Sequence, residues 1–177
     1  MKKPGLLVAA LVVVAAAAGI LFTVFRGGHS GPPPRAATDG LAVTIGDQSF
    51  TLVNGVAEKE IAPGSKETVR VVGEPVTGDA SGDGKPDTAL LLADDPGGSG
   101  TFYYAVLAID DGGSWRATNA LPLGDRIKPE KIEYGDGQFV YHFLERKPDE
   151  PMAAAPTAEN AVPVRLDPAT GRISAWG

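Results

Sequence analysis

Cysteine is absent from the 177-residue chain. That excludes a disulfide framework, a thiolate zinc site and a cysteine nucleophile, and it removes the residue that bacterial lipoproteins acylate. Histidine is nearly absent: only His29 and His142 occur, so any serine–histidine–acid constellation would rest on His142. No acidic residue precedes Asp39, whereas Lys2, Lys3, Arg26 and Arg35 do. From Ala36 onward there are 12 basic and 22 acidic residues, a net charge of −10. Such a segment repels nucleic acid phosphates and anionic headgroups, so no nucleic-acid partner is expected; cations and basic partners are compatible with it. Also missing, from Leu41 onward, is any window with the i, i+3, i+4, i+7 apolar pattern of an amphipathic helix.

What is present begins with an address. Two lysines precede an uninterrupted run of apolar or small residues from Pro4 to Phe25, closed by Arg26. A secretory signal has an apolar region of only about 7–15 residues, while about 20 suffice to span a bilayer. A cut after Ala16 or Ala18 would leave "ILFTVF" exposed on the mature chain, so residues 1–26 read as an uncleaved signal-anchor, one transmembrane helix contacting the membrane through residues 4–25. Lys2 and Lys3 favour a cytoplasmic N-terminus. The remainder is then expected in the periplasm or at the cell exterior, held to the bacterial cytoplasmic membrane by a single pass. The opposite orientation gives a membrane-tethered cytoplasmic domain. Residues 27–40, "GGHSGPPPRAATDG", form a Gly/Pro-rich linker that cannot pack a core.

From Leu41 to Gly177 the chain alternates short β-favouring runs with turn residues. "NG" at Asn54–Gly55 is a strong hairpin signal, and "GDG" and "PATG" mark two further hairpins. "TALLLAD" and "TFYYAVLAI" are apolar at successive positions and read as central strands buried on both faces. "ETVRVVGEPV" reads as a strand interrupted near Gly73, "WRATNALPL" as one strand, and "EKIEY", which alternates, as an edge strand. "MAAAPTAENA" could support one helical turn. The fold class is therefore mostly β: an antiparallel sandwich or curled sheet of about eight to ten strands.

The sharpest local signal is "GDASGDGKPD", Gly78 to Asp87. Calcium takes six to eight oxygens from alternate loop positions, with Gly at position 6 and a backbone carbonyl at position 7. Taking Asp79 as position 1 places Ser81 at 3, Asp83 at 5, Gly84 at 6, the Lys85 carbonyl at 7 and Asp87 at 9. Position 12 is Leu90 instead of the bidentate glutamate of an EF-hand, and the flanks are strands. The pattern is thus a short inter-strand loop that would hold one structural calcium weakly. The same residues also make a hydrogen-bonded Asx-type turn without metal.

Three other stretches are candidate recognition loops. "DPGGSGTFYY" places Ser99 in a glycine-rich turn and Tyr103 and Tyr104 on the strand after it; the lysine and following helix of a phosphate loop are missing, and so is G-x-S-x-G. "GDRI" joins Asp125 to Arg126 in what reads as a loop ion pair. "ERKPDE" carries Arg146, Lys147, Asp149 and Glu150, charges expected to pair among themselves at little energetic gain.

"GDASGDGKPDTALLL", "GGSGTFYYAVLA", "TNALPLGDRI" and "ERKPDEPM", in this order, resemble the motifs of a family of uncharacterised small bacterial envelope proteins, many of them exported lipoproteins. The resemblance covers about Leu41 to Leu166. It implies an envelope location and a β-rich domain and brings no catalytic residues. The family more often has Asn where Ser81 stands. The expectation is a binding or accessory module with an unknown envelope protein or ligand as partner. An envelope hydrolase using Ser99, Asp125, Arg126 or His142, and an inhibitor of an envelope enzyme, are the alternatives.

Overall fold

A computed structural model describes residues 37–151 and 153–176. The segment expected to be a signal-anchor, residues 1–26, and most of the expected linker, with His29, lie outside the described residues. Among those described, no helix is long and apolar enough to cross a membrane.

The chain from Ala42 to Ala175 is folded into twelve strands: β1 (Ala42–Ile45), β2 (Gln48–Thr51), β3 (Val56–Ala62), β4 (Ser65–Gly78), β5 (Asp87–Asp95), β6 (Phe102–Asp110), β7 (Trp115–Ala117), β8 (Leu121–Asp125), β9 (Lys128–Gly135), β10 (Gln138–Glu145), β11 (Ala158–Asp167) and β12 (Arg172–Ala175). All pairings are antiparallel. They make a central sheet ordered β3-β4-β5-β6-β7, with β8 also on β6, a four-stranded sheet ordered β12-β11-β10-β9, and the hairpin β1-β2.

The strand alternation explains the layering. On β5, Leu90 and Leu92 join Val43, Phe50 and Leu52 of the hairpin in one core. Ala89 and Leu91 join Phe139, Tyr141 and Val164 of the four-stranded sheet in the other. β6 does the same, with Val106 and Ala108 on the hairpin side and Ala105 and Leu107 opposite. The central sheet is thus covered on both faces, as its two apolar strands predict, and each fully buried Leu or Val contributes about 1.5–3 kcal/mol. Tyr141 reaches across, its hydroxyl donating to the carbonyls of Leu90 at 3.2 Å and Val106 at 3.3 Å.

Turn chemistry follows the sequence. Asn54 and Gly55 both have positive φ, 53° and 80°, and Val53 and Val56 exchange backbone hydrogen bonds across them, the geometry that an Asn-Gly pair favours in a two-residue hairpin turn. Asp136–Gly137 repeats it between β9 and β10. β4 is irregular between Val72 and Val76, where Gly73 takes φ 72°. The second half of β4 thereby packs beside β9, so the two large sheets curl together at that corner.

Three expectations need correction. "WRATNALPL" is two strands, not one: Thr118 bulges between β7 and β8, both of which lie along the same edge of β6. Its hydroxyl accepts the Leu107 amide, which keeps the break satisfied. With that break the strands number twelve, against the eight to ten expected. "MAAAPTAENA" holds a turn, with the Ala154 amide on the Pro151 carbonyl, and its end already belongs to β11.

Candidate functional site

The acidic loop joins β4 to β5. Asp79 is its hub. One carboxylate oxygen accepts the amides of Gly82 at 2.6 Å and Asp83 at 3.2 Å; the other accepts Gly84 at 3.0 Å. The Ser81 hydroxyl donates to Asp79 at 3.4 Å. Asp83 accepts the Lys85 amide at 2.9 Å, and its second oxygen lies 3.6 Å from the Lys85 ammonium. Asp87 is fully buried and accepts three amides, from Ala80, Ser81 and, across to β6, Asp110. Burial pushes its carboxyl up while those amides pull it down, and burial prevails. Gly82 and Gly84 have φ of 76° and 85°, a backbone that glycine adopts without strain.

These carboxylates therefore serve backbone amides, and among the described residues no three His, Cys, Asp or Glu side chains converge as a metal site. The arrangement is that of an Asx-type loop. Tyr134 of β9 fastens it to the four-stranded sheet: its hydroxyl donates to the Asp79 carbonyl at 2.5 Å, and its ring covers Gly78 so closely that a Cβ there would overlap it. A shallow groove lined by Val76, Thr77, Tyr134 and Gln138 runs alongside.

The other three loop motifs meet at Asp125. One of its carboxylate oxygens accepts the Thr101 amide at 3.2 Å and lies 3.4 Å from the Arg126 Nε. Arg146 Nη2 donates to the Asp125 carbonyl at 3.3 Å and stands 4.0 Å from its carboxylate. The Arg126 amide returns to the Thr101 carbonyl at 2.7 Å. Arg126 has φ 50°, an uncommon conformation for a side-chain-bearing residue. The expected Asp125–Arg126 pair is thus present, and Arg146 joins it. Ser99 is exposed in the loop leading to this node, Asp149 is exposed, and Glu150 accepts the Lys147 amide at 3.0 Å. Tyr103 and Tyr104 do not reach it; they pack against the two cores, on opposite faces of β6.

His142 lies elsewhere, on the outer face of the four-stranded sheet. Its Nε2 is 2.9 Å from a Glu133 carboxylate oxygen, off the line of a good hydrogen bond. A depression there is lined by Glu130, His142, Glu159, Asn160 and Ala161, with no residue of the β5–β6 loop.

One pair escaped the sequence reading. Glu67 of β4 and Asp94 of β5 are 6% and 5% exposed. Glu67 accepts the Gln48 side-chain amide of β2 at 3.1 Å, and Gln48 in turn accepts the Lys59 ammonium at 2.5 Å. Asp94 Oδ1 is buried and accepts no hydrogen bond. Burial, with Glu67 and then Asp95 adding their charge, pushes the Asp94 carboxyl up to about 6. The available signal was strand parity: Asp94 shares a face with Leu90 and Leu92, and Glu67 with Val69. No family model matches the chain, and neither a curated protein nor a solved structure matches it.

Proposed function

We propose that the chain is a membrane-anchored envelope protein whose β-domain is a binding or accessory module, with its recognition surface at the Asp125 end. The observation that carries the proposal is the meeting of three loop segments on Asp125, through the Thr101 amide and Arg146. A carboxylate that organises several loops while leaving Ser99 and Asp149 exposed builds a rigid recognition surface. The hydrolase alternative draws less support. His142 pairs with Glu133 on another face, and Asp125 is engaged by an amide and two arginines rather than poised beside a nucleophile. Affinity capture from an envelope extract with the full chain tests the proposal, using Arg126→Ala and Ser99→Arg as surface variants.

Calcium in the acidic loop is a second reading, favoured by the Asp79, Ser81, Asp83, Gly84, Asp87 spacing. It requires carboxylates to turn from the amides they hold, which makes the site weak and structural. The test is the melting temperature with chelator and with millimolar calcium. A calcium-dependent rise that Asp83→Ala abolishes supports the reading. No shift, or an equal shift in the variant, leaves the loop held by amides alone.

A further inference from the structure

The hairpin β1-β2 covers only one face of the central sheet, and its turn end rests on acids. Gln48 begins β2 and faces inward with Phe50. It bonds Glu67, and the Glu67 charge in turn acts on Asp94, which is buried on the same face of the sheet with an unpartnered Oδ1. The register puts Lys59 opposite Glu67 and Phe102 opposite Asp94. The charged and titratable groups around Asp94 are Glu67 on the same face, Asp95 beside it in the chain, Tyr104 one step along β6, and Lys59, whose ammonium is held by Gln48. Asp47 is exposed at the hairpin turn, and Asp125 lies beyond Phe102, engaged with its arginines.

A protonated Asp94 can donate to an acceptor such as Glu67 and needs no water. An ionised one is a buried charge beside a second carboxylate, and the nearest way to hydrate it is to lift the hairpin end that seals it. We propose that the β1-β2 hairpin is a pH-responsive lid, closed over the central sheet when Asp94 is protonated and loosened when Asp94 is ionised beside Glu67. The burial-raised Asp94 carboxyl puts the transition near pH 6. Loosening uncovers part of the apolar face formed by Val69, Leu90 and Leu92.

The absence of cysteine makes the test clean. Ile45→Cys places a thiol on the inward side at the hairpin end, and Thr44→Cys places one on the exposed side as a control. In the full-length protein, both are labelled with an aromatic disulfide reagent that reacts at acidic pH. The ratio of the two rates is followed from pH 4.5 to 7.5. The proposal expects the Ile45→Cys rate, relative to the control, to rise at least tenfold with a midpoint near pH 6. Adding Asp94→Asn should flatten the profile, and adding Glu67→Gln should lower both midpoint and amplitude. A ratio that stays constant with pH, or rises equally in the presence of Asp94→Asn, overturns the proposal. If Asp94→Asn does not fold, an unchanged profile with Glu67→Gln does so.

Discussion

The hydroxyl of Tyr134 on β9 donates to the backbone carbonyl of Asp79, while its ring seals Gly78. This single side chain ties the four-stranded sheet to the mouth of the acidic loop, at the corner where the irregularity at Gly73 has bent β4 toward β9. The loop is therefore a joint between sheets as well as a connection between strands.

Gly78→Ala should be among the more destabilising single-methyl changes in the domain. The added Cβ overlaps the Tyr134 ring, and a retreat of that ring would pull its hydroxyl from the Asp79 carbonyl. Overpacking of this kind costs about 1–3 kcal/mol. Tyr134→Phe keeps the ring and loses only the hydrogen bond, for about 0.5–1.5 kcal/mol. Urea denaturation midpoints of the two variants give the ranking, and an equal or reversed order contradicts it.

Within the loop, Asp87 should matter more than Asp83. Asp87→Ala removes an acceptor from three amides, one of them on β6; Ala80 keeps its bond to the Gly78 carbonyl, and the amides of Ser81 and Asp110 lose their partner at about 1–3 kcal/mol each before relaxation and water entry. Asp83 is exposed and bonds one amide, so Asp83→Ala should leave stability close to that of the wild type, as surface changes usually do. Thermal melts in chelator isolate this comparison from any calcium effect.

Asp125→Ala should loosen two connections together. The Thr101 amide loses its acceptor, and Arg126 and Arg146 lose their shared counter-charge. A cost of about 1–2 kcal/mol is expected for a half-buried hydrogen-bonding carboxylate. Proteolysis within the β5–β6 loop, around Ser99, should accelerate more than global unfolding does. Uniform acceleration at all sites would show that Asp125 organises no particular loop.

Stability should depend on pH through Asp94. Its folded-state carboxyl is raised from 3.8 to about 6, so the native state holds this proton more tightly than the unfolded state. The associated stability is fully present below about pH 4 and is lost as pH rises through 6. Asp94→Asn should consequently stabilise the protein at pH 7.5, by roughly 1–3 kcal/mol, with the gain shrinking toward pH 4. Denaturation at both pH values measures the difference. A variant less stable than wild type at pH 7.5 would contradict it.

Much of the fold was legible in the sequence, and the reasons are local. β5 and β6 announced themselves because burial on both faces leaves no polar position in "ALLLA" and "AVLAI". Asn54–Gly55 and Asp136–Gly137 announced their turns because few other residue pairs adopt positive φ twice running without strain. The break at Thr118 was not legible. It depends on a side chain taking over a backbone partner from Leu107, which no composition signals. The Glu67–Asp94 pair was hidden for a related reason. Both acids are written as ordinary strand-end residues, and it is the hairpin that covers the face they share, with Gln48, 19 residues before Glu67, bonding Glu67 itself. The acidic loop was recognised as special, whereas the part played by Asp87, reaching across to the Asp110 amide, required the β5–β6 register.

The proposed recognition surface at Asp125 is tested most directly by capture from an envelope extract on immobilised full-length protein, with wild type, Arg126→Ala, Ser99→Arg and His142→Ala compared side by side and each shown to be folded. The account predicts one set of retained species with wild type and His142→Ala, reduced severalfold with Ser99→Arg and Arg126→Ala. Equal retention by all four, or selective loss with His142→Ala, would contradict it.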